Sequence, residues 1–105
     1  MILRSDCLNC EITTEEVARK FENSNYDGIM YITRLVETYM VDTDKKIYVL
    51  DLLRSIKWLN NAICWTEMEY ITDINNAELY DMYYSILDII CRELFNVGAE
   101  KIFEN

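Results

Sequence analysis

A compact all-α bundle is the fold class this chain predicts, and three observations carry it. Its 105 residues include no proline and only two glycines, Gly28 and Gly98. An all-β fold would need turn residues at roughly every 8–12 positions. About half of the chain is apolar, and the apolar residues recur at steps of three and four, the period of a helix with one buried side. Between Leu79 and Val97, thirteen of nineteen residues are apolar or aromatic. Together these predict a single domain over residues 1–105, with four to five short helices around a buried C-terminal helix at about 76–97.

The first helix starts at Thr13-Thr14-Glu15-Glu16. Thr13 is the cap and Glu16 reaches back to it, with Ile12 and Val17 placed for the flanking hydrophobic contact. The helix runs to about Asn23 and turns Val17, Ala18 and Phe21 inward. Glu15 and Glu16 in its first turn, with Arg19 and Lys20 beyond them, suit its dipole. Ser24-Asn25-Tyr26-Asp27-Gly28 reads as a turn. A second helix follows from Asp27 to near Val41, carrying Ile29, Ile32, Leu35, Val36, Tyr39 and Met40.

Asp42-Thr43-Asp44 caps a third helix whose inward set is Ile47, Leu50, Leu53, Ile56, Leu59 and Ile63. A strand over Ile47 to Leu53 is the local rival, and the periodicity continuing beyond it favours helix. The segment beyond Asn60-Asn61 continues as helix through Trp65 to about Thr72, or breaks into a short piece from Glu67 to Thr72. Asp73-Ile74-Asn75 is a turn. Asn75 then caps the last helix, with Glu78 three residues on and Gly98 closing the far end. Asp81, Ser85, Asp88, Arg92 and Asn96 form its thin polar stripe, with Glu93 beside it. Ile102 and Phe103 in the tail are placed to dock.

Charge narrows the function classes. Nineteen acids against ten bases give a net charge of −9. A duplex or an anionic bilayer repels such a chain, so neither direct nucleic-acid binding nor membrane binding is expected, and a basic protein partner is. The sequence has no signal-like apolar run and no stretch near the ~18 apolar residues of a membrane span, which predicts a cytoplasmic protein.

Catalysis lacks its usual members. There is no histidine to serve as general base or to activate a nucleophile. No glycine-rich loop is present to cradle phosphate. The chain is therefore expected not to be an enzyme and to use no cofactor. Cys7 and Cys10 have the C-x2-C spacing of a zinc or redox pair, but a metal site would have to recruit Cys64 and Cys91 from separate helices. All four cysteines are expected as reduced thiols and no metal is assigned.

The charge map is the most informative feature. From Trp58 to Cys91 there is no lysine or arginine, yet Glu67, Glu69, Asp73, Glu78, Asp81 and Asp88 fall there. The same stretch holds Trp58, Trp65, Tyr70, Tyr80, Tyr83 and Tyr84, with Met68 and Met82. If these rings face outward, they and the carboxylates make a surface for a basic groove; if inward, they are core. The expected partner-binding residues are Glu67, Glu69, Asp73, Glu78, Tyr80 and Asp81. Neutralisation of Glu78 and Asp81 by Arg54, Lys57 or Arg92 would remove such a surface.

Two functional expectations follow. In the first, the protein is a non-enzymatic inhibitor that blocks a basic site on a nucleic-acid-binding protein or nuclease. Small phage-encoded antagonists, including anti-CRISPR and anti-restriction proteins, are similar in size and charge, a likeness of class and not of motif. In the second, it is a self-associating structural or regulatory helical module of antitoxin or immunity type, a homodimer sealed along the helix from Leu79 to Val97.

Overall fold

The structure, a computed structural model, describes residues 13–95 and Ile102. Within these it is all-helical: α1 Thr14–Asn23, α2 Asn25–Tyr39, α3 Thr43–Glu67 and α4 Asn76–Phe95. Each helix packs on its chain neighbour, α1 on α2, α2 on α3 and α3 on α4, within extents of 43 × 24 × 23 Å. Ile12, Gly98 and Phe103 lie outside the described residues, as do the two residues expected at the end of the last helix, Asn96 and Val97.

Helix α1 begins as its sequence indicates, with Thr13 Oγ1 accepting from the Glu16 amide at 3.1 Å. The second half of the expected box is redirected. The Glu16 carboxylate accepts from the Tyr31 hydroxyl on α2 at 3.0 Å, which joins two helices instead of closing one. Lys20 lies 5.6 Å from the centre of the same Tyr31 ring.

The turn expected over Ser24–Gly28 is a single residue. Ser24 is extended, and it ends α1 with its own amide on Lys20 O while its hydroxyl accepts from the Asp27 amide to begin α2. Gly28, read as a turn residue, sits buried inside α2. A β-carbon there would lie 2.3 Å from the Phe21 ring. Glycine is thus used for close approach between α1 and α2 rather than for backbone freedom.

Helix α3 starts on Asp42, whose side chain accepts from the Lys45 amide at 3.1 Å, and runs 25 residues without a break at Asn60-Asn61. Its expected inward set is corrected at one end. Ile47 is 54% exposed and Val49 takes its place in the core. Leu50 is half-buried, whereas Leu53, Ile56, Leu59 and Ile63 are buried. Nor does helix reach Thr72, because the chain turns at Met68.

Helix α4 opens with Asn75 Oδ1 accepting from the Ala77 amide at 2.9 Å. It buries Leu79, Leu87, Asp88, Ile90, Cys91, Leu94 and Phe95, and leaves Asp81, Met82 and Ser85 exposed. Asp88, assigned to the polar stripe, is only 5% exposed, and its carboxylate accepts from the Ile102 amide at 3.0 Å. A hydrogen-bonded carboxylate can be enclosed in this way where an unpaired one cannot. Burial, and then the nearby Asp88, push the Cys91 thiol up to about 12.

Two clusters form the core. The larger joins Val17 of α1, Ile32 and Val36 of α2, Val49, Leu53 and Ile56 of α3, and Leu87, Ile90, Leu94 and Phe95 of α4. The smaller unites Leu59, Ala62 and Ile63 with Leu79 at the opposite end of the α3–α4 pair. No helix is long and apolar enough to cross a membrane among the described residues.

Gly28→Ala tests the α1–α2 contact. Alanine normally stabilises a helix interior by about 0.5–1 kcal/mol over glycine. Here overpacking against the Phe21 ring costs about 1–3 kcal/mol. Urea unfolding should show a net loss of stability, and a gain would mean that Phe21 does not fill this position.

Candidate protein-binding surface

The smaller cluster fixes the end of the molecule where the acidic residues collect. Two polar links draw the end of α3 to the start of α4, and a bond within α3 orients one of them. Asn76 Nδ2 donates to Thr66 Oγ1 at 2.7 Å, Thr66 Oγ1 donates to Ile63 O at 2.7 Å, and the Tyr80 hydroxyl donates to Glu67 Oε1 at 2.7 Å. Of the six residues expected at the partner-binding surface, the structure joins Glu67 and Tyr80 directly. Glu69 and Asp73 are exposed in the connection between α3 and α4, and Glu78 and Asp81 are exposed on the first turns of α4. Tyr80 is half-buried. Arg54 pairs with Asp51 of its own helix at 2.9 Å.

Outward placement is settled for most of the bulky side chains that the sequence left open. Trp58, Trp65, Met68, Tyr70, Ile74 and Met82 are all exposed, Tyr70 by 76%. Tyr83 and Tyr84 are half-buried and meet edge to face, with centroids 5.5 Å apart. The Tyr83 hydroxyl donates to Asn25 Oδ1 at 2.7 Å, tying α4 to the start of α2. The surface therefore carries large apolar groups next to carboxylates, with Ile74 as a member that the sequence reading did not select. Composition cannot tell an exposed isoleucine from a core one, and no other signal marked Ile74.

Helix α3 closes in a recognisable geometry. Met68 is the cap, Glu69 donates its amide to Thr66 O at 3.1 Å, and Tyr70 donates to Trp65 O at 2.9 Å. This pair of bonds is the Schellman arrangement, whose left-handed position is ordinarily glycine. Here that position is Glu69, at φ 62. A non-glycine residue in that conformation costs about 1–2 kcal/mol. Strain of this kind gathers where a side chain is needed for binding.

The hydrogen bond to Glu67 raises the Tyr80 phenol to about 12, with desolvation adding to it. Burial raises Tyr83 to about 12 as well. Cys64 is half-buried on α3 and Cys91 is buried on α4, both as free thiols, while Cys7 and Cys10 lie outside the described residues. Among the described residues, no three or more histidine, cysteine, aspartate or glutamate side chains are grouped to hold a metal.

Two measurements check this surface. Glu69→Gly should relieve the left-handed strain and stabilise the fold by about 1 kcal/mol in urea; a destabilised variant would show that the Glu69 side chain holds the turn together. Tyr80 and Tyr83 are held protonated in the folded state, so the stability this gives is complete below about pH 10 and disappears as pH climbs toward 12. Tyr80→Phe should flatten the alkaline loss between pH 10 and 12 without abolishing it, since Tyr83 still titrates, whereas an unchanged alkaline limb would rule out the Tyr80–Glu67 bond.

No known protein family, curated protein or solved structure matches this chain.

Proposed function

We propose that the protein is a non-enzymatic binding module, acting in the cytoplasm, whose acidic and aromatic end occupies a basic site on a nucleic-acid-handling protein and blocks it. One observation carries this reading: Glu67, Glu69, Asp73, Glu78 and Asp81 stand exposed at the same end of the chain's fold as exposed Met68, Tyr70, Ile74 and Met82. Carboxylates steer the approach of a basic surface and set register on it. Tyrosine and methionine supply contact area that a purely solvated acidic face would lack. Strained Glu69 adds weight, because glycine would serve the turn at lower cost.

The division of labour differs from that of an enzyme. Affinity arises from buried apolar contact at Tyr70 and its neighbours, and selectivity for a cationic groove from the surrounding carboxylates. Such a surface competes with phosphate for the same lysines and arginines, so inhibition is by occupancy.

The test is affinity capture from host lysate with wild-type protein and a Glu67→Lys/Glu69→Lys/Asp73→Lys variant as paired baits. A nucleic-acid-binding protein retained by the first and lost from the second is expected. Its affinity should fall steeply between about 0.1 and 1 M salt, where the screening length shrinks from about 10 to 3 Å. Identical captures by both baits, or an affinity indifferent to salt, would sink the proposal.

A further inference from the structure

Helices α1 and α2 enclose a cleft of about 270 Å³ between Lys20 of α1 and Tyr26, Asp27, Met30, Tyr31 and Arg34 of α2. Asp27, Met30, Tyr31 and Arg34 follow at steps of three, one and three, which is a single stripe of α2. Phe21, packed on Gly28, brings the neighbouring Lys20 up to that stripe. None of these residues belongs to the candidate protein-binding surface.

The two cations of the cleft are not taken up by carboxylates, although nineteen acids stand against ten bases in the chain. Each has an acid one helical turn away, Glu16 four residues before Lys20 and Glu37 three after Arg34. Among the described residues neither pair forms. Glu16 instead accepts from the Tyr31 hydroxyl at 3.0 Å. Lys20 places its ammonium 5.6 Å from the centre of the same ring, so the ring is held at its hydroxyl and on its face. Asp27, the one carboxylate of the lining, accepts from the Asn23 side-chain amide.

These groups specify a ligand. Two cations against one carboxylate leave the lining with a single net positive charge, the complement of a monoanion. The planar fork of Arg34 matches a carboxylate through two parallel N–H···O bonds, and Lys20 adds a point charge. A doubly charged phosphate ester would meet Asp27 as a like charge. Tyr26, Met30 and Tyr31 supply flat or pliable apolar walls, which suit a flat hydrocarbon body. The volume lies just under the roughly 300–1,000 Å³ of pockets for drug-sized molecules, so that body is one ring and not several.

We propose that this cleft binds a small aromatic carboxylate, its carboxyl group between Arg34 and Lys20 and its ring against Tyr26 and Met30. The chain then carries two recognition sites of opposite charge, and either can be lost without the other.

Benzoate is the probe, titrated into the full-length protein and followed through amide shifts in proton–nitrogen correlation spectra. Saturable shifts concentrated between Lys20 and Arg34 are expected, with a dissociation constant of about 1 mM or tighter, the range open to so small a ligand. Acetate, which lacks the ring, and benzamide, which lacks the charge, should each bind at least about fivefold more weakly. Phenyl phosphate should bind no more tightly than benzoate. Arg34→Gln and Lys20→Gln should each weaken benzoate by about fivefold, and Asp27→Asn should tighten it by about twofold to fivefold. Lys57→Gln, which removes a cation from α3 outside the cleft, should leave binding unchanged, and circular dichroism should show all four variants folded. Shifts that do not saturate, benzamide binding as well as benzoate, phenyl phosphate binding more tightly, or Lys57→Gln losing as much as Arg34→Gln would each overturn the proposal.

Discussion

Leu53, Ile56, Leu59 and Ile63 need an apolar cover along most of a 25-residue helix, and α4 supplies it from Leu79 to Phe95. Each such side chain taken from water contributes about 1.5–3 kcal/mol, and among the described residues this seam is the most extensive contact between helices. Its consequences reach outward. Because α4 must lie along α3, the connection from Met68 to Asn75 is drawn tight over the end of the pair and the carboxylates on both sides of it gather there. Tyr83 then reaches Asn25 and fixes the first helical pair against the second.

Most of this architecture was legible in the sequence because helix period and caps are local properties. Thr13, Asp42 and Asn75 each accept the backbone amide that their position implies. What could not be read depends on partners distant in the chain. Ile47 and Val49 are both acceptable at the start of an apolar stripe, and only the placement of α4 and α2 decides which one turns inward. Gly28 has the composition of a turn, and its role inside α2 comes from the Phe21 ring that α1 packs against it. Asp88 looks solvated until the Ile102 amide is brought to it.

The candidate surface divides in the same way. Its charge was visible, since a base-free run of six acids is a property of sequence. Its apolar half was not, because exposure of Tyr70, Met68 and Met82 is decided by which side of α3 and α4 the core occupies. The strain at Glu69 was equally hidden: nothing in the residue's neighbours marks it for a left-handed backbone, and it follows from where α3 stops. Ile47, Trp58 and Trp65, exposed on the outer side of α3, lower its amphipathic contrast and made its inward side hard to phase at the start of the helix.

Ser24 has one more consequence, for the way the chain becomes ordered. It joins two helices without a loop, and every helix that follows lies against the one before it. Contacts of such short sequence separation carry little closure entropy, the condition under which domains fold fast. As the polypeptide leaves the ribosome, the α1–α2 hairpin can assemble before α4 has been synthesised. The Tyr83–Asn25 bond, spanning the greatest chain separation of these links, then acts as the clasp that closes last.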